Sequence, residues 1–231
     1  MNYYVHEIRT SCWRFYLSAY ILYNMKTLAI LSQKGGAGKT TLAINLAVAA
    51  DKATRGKAAL IDLDPQASAA SWGDSRQADT PPVVSAQASR LGPCLEAAKE
   101  AGAKFVIIDT APHSESTSLA AARAADLVII PCRAAILDLR AINTTIDLAK
   151  LAGTPAAVVL NAVPPRGSIT EEAAAAVAGY ETTLAPIRIT QRAAFVHSLT
   201  LGKSIQEYEP TGKGADEIKQ LYKWICKQII M

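Results

Sequence analysis

The chain has four cysteines, Cys12, Cys94, Cys132 and Cys226, with no CxxC pair and no metal-ligand spacing among them. It therefore offers neither a disulfide framework nor a zinc site, and a reduced, cytoplasmic setting is expected. No apolar run approaches the ~20 residues of a membrane-spanning helix, and no small-residue cleavage site follows the first apolar stretch, so neither a secretory signal nor integral membrane association is expected. Charge of one sign is in small excess: +4 overall and a pI near 8.8 permit a polyanionic partner without requiring one. Internal repeats and linker-like tracts are missing. With half of its residues hydrophobic and 19% charged, the composition excludes disorder. At roughly 100 to 200 residues per domain, the 231 residues read as one domain.

Residues 1–24 stand apart. They carry Trp13, Phe15, Tyr16, Tyr20 and Tyr23 and end at Met25, where a strand pattern begins abruptly. This stretch reads as an N-terminal extension for which Met25 is an alternative start; a loosely packed helix and an interfacial anchor are the other readings. From residue 25 to residue 231, short β-branched runs alternate with alanine-rich segments of helical length, the signature of βαβ units. Strands are predicted at Thr27–Leu31, Ala58–Ile61, Val83–Ser85, Phe105–Ile108, Leu127–Ile130, Ala156–Leu160 and Leu184–Ile189. Helices are predicted at Lys39–Ala50, Arg90–Ala101, Ser116–Ala124, Asp138–Leu151, Thr170–Gly179, Gln191–Leu199 and Asp216–Ile229, with Gly73–Ser89 as a loop around a short edge strand. The fold class that follows is α/β: a doubly wound, mostly parallel sheet with helices on both faces and ligands beyond the carboxyl ends of the strands.

The strongest chemical signal is Gln33-Lys34-Gly35-Gly36-Ala37-Gly38-Lys39-Thr40-Thr41, between the first predicted strand and the first predicted helix. Glycines let successive backbone N–H groups turn inward on phosphates, and the helix N-terminus adds its positive dipole end. Lys39 can reach the β- and γ-phosphates, and the Thr40 hydroxyl can ligate Mg²⁺. Two departures from GxxxxGK[ST] stand out: Gln33 in place of the first glycine, and an additional Lys34. The loop thereby resembles the deviant Walker A motif of ParA/MinD-type P-loop ATPases, and its Ser-Gln-Lys-Gly-Gly start is especially like ParA. The resemblance implies ATP and Mg²⁺ as cofactors, ATP hydrolysis, a homodimer closed by ATP, and Lys34 as the signature lysine that reaches the partner's nucleotide.

Ile61-Asp62-Leu63-Asp64-Pro65-Gln66 resembles the DxDPQ switch I segment of that family. Pro65 breaks the strand, so that one carboxylate stays with the sheet while the other enters the site. By resemblance Asp64 orients the attacking water and takes part in the Mg²⁺ site, and Asp62 supports the loop and the Mg²⁺ shell. Phe105-Val106-Ile107-Ile108-Asp109-Thr110-Ala111-Pro112 delivers an acid to the top of a buried strand and looks like Walker B, with Asp109 on Mg²⁺ through water and Thr110 opening switch II. The likeness runs on through Ala125–Pro131, Arg192–Phe195 and Glu207–Pro210. Asn161 has two readings, an adenine reader as in relatives or a turn cap before Pro164-Pro165. His113 reads as a solvent-facing loop residue, His6 and His197 have no ligand partners at useful spacing, and Trp72 and Trp224 read as packing residues.

Family resemblance leaves several functions open. A nitrogenase-iron-protein role needs cysteine ligands near the switch regions, which Cys94 and Cys132 do not supply. A MinD-like membrane switch carries an extra amphipathic helix, whereas the final helix here reads as the domain's own. The expectation is an ATP-dependent DNA partition ATPase of the small ParA class, without a helix-turn-helix before the P-loop. Its ATP-bound dimer would bind non-specific duplex DNA on the nucleoid, and a ParB-like centromere-binding protein would stimulate the hydrolysis that releases it. MinD-like positioning and conjugative-transfer or cargo roles are the alternatives. Arg192, Lys203, Lys213, Lys219, Lys223 and Lys227 are the candidate DNA contacts, with a merely solvated helix face as the plainer reading.

Overall fold

The computed structural model describes residues 24–230; the N-terminal extension up to Tyr23, with His6 and Cys12, lies outside the described residues. Seven strands form one sheet: β1 (Lys26–Ile30), β2 (Ala58–Asp62), β3 (Val83–Ser85), β4 (Phe105–Asp109), β5 (Leu127–Cys132), β6 (Ala156–Leu160) and β7 (Thr183–Leu184). Every pairing is parallel, and the order is β3-β2-β4-β1-β5-β6-β7. Runs such as Phe105-Val106-Ile107-Ile108 lack polar alternation because both sheet faces are covered.

Successive strand residues serve opposite layers. Leu28, Ile30, Leu60, Phe105, Ile107 and Ile129 pack beneath α1 (Lys39–Thr54), α2 (Ser68–Asp74), α7 (Ala193–Thr200), α8 (Ile205–Tyr208) and α9 (Lys213–Ile230). Ala29, Leu31, Ile61, Val106, Ile108 and Val128 pack against α3 (Leu91–Glu100), α4 (Glu115–Ala124), α5 (Ile136–Ala152) and α6 (Ile169–Ala178). Each fully buried Leu or Ile in these layers contributes roughly 1.5–3 kcal/mol relative to exposure. Helix α1 is buried without a break from Leu42 to Asp51, which explains its lack of a polar stripe: it is enclosed on all sides. Helix α9 is its counterpart at the surface, burying Ile218, Leu221, Tyr222 and Ile225, with the Tyr222 ring set edge-on to Phe105 at 5.5 Å. Among the described residues no helix is long and apolar enough to cross a membrane.

Two local features differ from expectation. The last strand, expected over Leu184–Ile189, is only two residues long. Beyond it the ladder skips: Ala185 N–H bonds the Val158 carbonyl and the next bond is Ile189 N–H to the Leu160 carbonyl, so two residues loop out. The helices Ser68–Asp74 and Ile205–Tyr208 were not foreseen, because neither is long enough to show periodicity. The expected edge strand within the 73–89 stretch is present as β3.

The chain leaves β1 toward β2 on one side, returns through β4 beside β1, and then crosses to β5 on the other. That reversal opens a crevice at the carboxyl ends of β1, β2 and β4, where doubly wound sheets hold their ligands.

Candidate nucleotide site

Three strand ends meet in this crevice in register: Ile30 of β1 is opposite Asp109 of β4, which is opposite Asp62 of β2. From Ile30 the chain passes through Leu31 and Ser32 into the glycine-rich loop. Gly36 and Gly38 take φ of 76° and 87°, the left-handed region where a side chain is strained. Gly38 is doubly constrained, since a Cβ there would overlap the Asn161 amide. The loop ends at the N-terminus of α1, whose first residues are Lys39 and Thr40. Gly35 and Gly36 are exposed at the rim, while Ala37 is buried beneath them.

The two loop lysines are separated by burial. Lys39 is buried, and burial lowers its pKa against the opposing pull of Asp109 and Asp64. Lys34 is exposed, with only its backbone N–H tied down, to the Ser32 hydroxyl at 3.2 Å. One loop cation is thus buried within the crevice and the other is exposed.

The acidic residues also divide their tasks. Asp109 is fully buried, and its pKa is pushed from 3.8 up to about 7, first by burial and then by Asp62, while Thr40, Lys39 and the Thr110 amide pull it down. Its Oδ1 accepts the Thr110 N–H at 3.0 Å, but its Oδ2 is buried with no partner. An unsatisfied buried carboxylate oxygen beside a threonine hydroxyl is a hard-oxygen donor set suited to Mg²⁺. Thr110 fixes β4 to β1 by donating its hydroxyl to the Ile30 carbonyl at 2.9 Å.

Asp62 is fully buried, and both of its oxygens bond backbone amides: Asp64 N–H at 3.0 Å, Ala69 N–H at 2.9 Å and Ala70 N–H at 3.0 Å. Ala69 and Ala70 lie in the first turn of α2, so Asp62 caps that helix from a distance, and the positive end of the helix dipole favours its charge. Its part in the site is to hold the loop. Asp64 is half-buried at the turn, its Oδ1 accepting the Gln66 N–H at 2.9 Å. The strand ends at Asp62, which leaves Asp62 with the sheet and Asp64 on the turn that follows.

Asn161 is buried, its N–H bonds the Cys132 carbonyl at 2.7 Å and its Nδ2 donates to the Ala37 carbonyl at 2.8 Å, which ties the end of β6 to the glycine-rich loop. The signal that escaped the sequence is spatial: β6 ends beside a loop 124 residues away. Residues farther along, Val163, Pro164, Pro165, Arg188 and Thr190 among them, border a cleft of about 280 Å³. His113 is an exposed turn residue at φ 56°, and Trp72 is a buried packing residue.

This loop, with its two lysines, and the aspartates at the ends of β2 and β4 lie together at the carboxyl edge of the sheet. Residues 28–198 match the family described as the CobQ/CobB/MinD/ParA nucleotide binding domain. The chain belongs to that family. It is 33% identical over 208 residues to "Maintenance of carboxysome distribution protein A" from Gloeobacter kilaueensis, covering 88% of this chain and 94% of that one. To the chromosome partitioning protein ParA of Myxococcus xanthus it is 26% identical over 251 residues, covering 88% of each. Among solved structures, the ATP complex of Cyanothece McdA superposes with a TM-score of 0.66 at 20% identity, over 90% of this chain and 97% of that one, a likeness of fold.

The candidate DNA contacts fare unequally. Lys219, Lys223 and Lys227 are exposed together on α9, away from its buried stripe, and Lys203 and Lys213 are also exposed. Lys219 donates to the Pro210 carbonyl at 3.0 Å. Arg192 is withdrawn from the set: its guanidinium grips Glu217 through two bonds of 2.6 and 2.8 Å, and Glu217 also accepts the Thr190 N–H and hydroxyl.

Proposed function

We propose that this protein is an ATP-switched positioning ATPase of the ParA type, and that its ATP-bound dimer holds non-specific duplex DNA until stimulated hydrolysis releases it. The observation that carries the reading is the division of the two loop lysines, one buried and one exposed. An exposed lysine on such a loop is available to a partner's nucleotide, where a cation entering a water-excluded interface stabilises phosphate charge. Mg²⁺ held by Thr40, Asp109 and Asp64 would neutralise charge on the phosphates during transfer. Within that arrangement Lys39 holds the phosphates, Asp64 orients water, and Asp62 keeps the switch loop folded. The exposed lysines of α9 supply the phosphate contacts for DNA, and a ParB-like partner is the expected stimulator.

The test uses a triple variant, Lys219→Glu, Lys223→Glu and Lys227→Glu. Nucleotide binding should persist, while retardation of a random duplex with Mg²⁺ and ATP should be lost at moderate salt. In the wild type the log–log salt dependence should have a slope of about −0.9 per phosphate contact. Unchanged affinity and slope in the variant would remove α9 as the DNA surface. Wild-type binding to anionic liposomes but not to DNA would favour membrane positioning.

A second reading concerns the cargo. The 33% identity to a protein named for carboxysome distribution favours a protein body as the thing positioned, in place of a plasmid or chromosome. Deleting the gene separates the two: replicon loss marks a DNA cargo, and clustering of a proteinaceous body marks the other.

A further inference from the structure

Two tethers leave the nucleotide site separately and converge on one short segment, residues 202–210. The first runs through α1. Asn45, one turn beyond Thr41, is fully buried; its Nδ2 donates to the Thr41 carbonyl at 2.7 Å and its Oδ1 accepts the Ile205 N–H at 2.8 Å. The second runs through α2, whose N-terminus Asp62 holds. Near the far end of α2 the Trp72 Nε1 donates to the Lys203 carbonyl at 3.4 Å, and the Arg76 guanidinium lies 4.5 Å from the Trp72 ring centroid.

Arg76 is the knot in this second tether. Its side chain is only 3% exposed. It donates to both Glu207 oxygens, at 3.1 and 2.9 Å, to the Gly202 carbonyl at 3.2 Å and to the Thr80 carbonyl at 2.7 Å. Burial raises the Glu207 pKa, but Arg76 and the Ser204 amide outweigh it and hold the carboxyl below its ordinary value. Glu207 also accepts the Ser204 N–H at 2.7 Å, closing the capping box of α8. Two residues past α8, the Pro210 carbonyl takes the Lys219 ammonium of α9. An ion pair with one partner buried is a poor way to add stability, since desolvation offsets much of its attraction; its geometry, by contrast, is demanding.

We propose that Arg76 is a positioning residue through which the setting of α2 at the nucleotide site governs the seating of residues 202–210 and thereby the lysine face of α9. Only the last step rests on α9 being the DNA surface. The bidentate fork converts a small rotation of α2 into a displacement of α8, because parting the two leaves the buried Arg76 guanidinium without its carboxylate.

Hydrogen–deuterium exchange on the full chain, with and without ATPγS and Mg²⁺, tests the joint. In the wild type the nucleotide should slow exchange in the phosphate loop and also across residues 204–208, there by at least ~5-fold, the low end of measured site-to-site coupling. Arg76→Lys keeps the charge but loses the fork. It should retain protection of the phosphate loop and lose the response at 204–208. Glu207→Gln is the second variant, should Arg76→Lys fail to fold, with the same result expected. A merely structural role would lower the melting temperature of both variants and leave the nucleotide-induced response intact. That outcome, or a wild type whose 204–208 segment ignores nucleotide while its phosphate loop is protected, overturns the proposal. A 30-base-pair duplex completes the test: if it tightens ATPγS binding in the wild type and not in Arg76→Lys, the joint reaches α9. If no duplex binds the wild type while 204–208 still responds to nucleotide, the DNA reading fails and the joint stands.

Discussion

Replacing Asp62 by asparagine exchanges one atom in a fully buried side chain at nearly constant volume, so any effect comes from hydrogen bonding and charge. The carboxylate accepts one amide on Oδ1 and two on Oδ2. An asparagine has one oxygen. Turned toward Ala69 and Ala70, it sets its NH₂ against the Asp64 N–H; turned the other way, it opposes two donors at the start of α2. Losing a hydrogen bond to a charged acceptor costs about 1.5–3 kcal/mol, and the interaction with the helix dipole is lost besides. Against this, Asp62 pushes the Asp109 pKa up, so removing its charge relieves Asp109. Each pKa unit of relief returns about 1.4 kcal/mol. The net expectation is a destabilisation of about 2 kcal/mol, which for a domain of this size lowers the melting temperature by about 4–8 °C. Thermal denaturation followed by circular dichroism, in EDTA and without nucleotide, measures it. A melting temperature within ~1 °C of wild type would refute the view that Asp62 anchors α2.

Two further outcomes are expected. Lys39→Ala should abolish ATP binding measured by calorimetry, whereas Lys34→Ala should bind ATP and fail to dimerise in light scattering; normal ATP-dependent dimerisation of Lys34→Ala would dismiss the trans role. Asp109 has a folded pKa of about 7, above its ordinary 3.8, so protons favour the folded state. Its stabilising contribution is complete below about pH 4 and is lost as pH rises through about 7. Denaturation midpoints in EDTA should therefore fall from pH 5 to pH 8 more steeply in wild type than in Asp109→Asn, and equal slopes would show that this carboxyl is not responsible.

Whatever depends on local pattern was legible in the chain itself. Strands buried on both faces read as unbroken apolar runs, so β1, β2, β4, β5 and β6 were placed to within one or two residues. The phosphate loop was legible because glycine spacing, two lysines and a following helix all lie within nine residues. The end of β2 at Asp62 was legible because Pro65 follows closely, although a proline does not end a strand by itself, since Pro131 lies within β5.

What depends on the meeting of distant segments was decided by tertiary structure alone. Nothing near Asn161 in sequence reveals that its amide faces Ala37; only the strand order, which sets β5 beside β1 and β6 beyond it, brings the two together. Arg192 reads as a free cation until Glu217 arrives from α9, and Arg76 reads as a loop arginine until Glu207 closes on it. A side chain's chemistry is local, but whether that chemistry is spent or available is set by its neighbours, and a folded chain draws those from more than a hundred residues away.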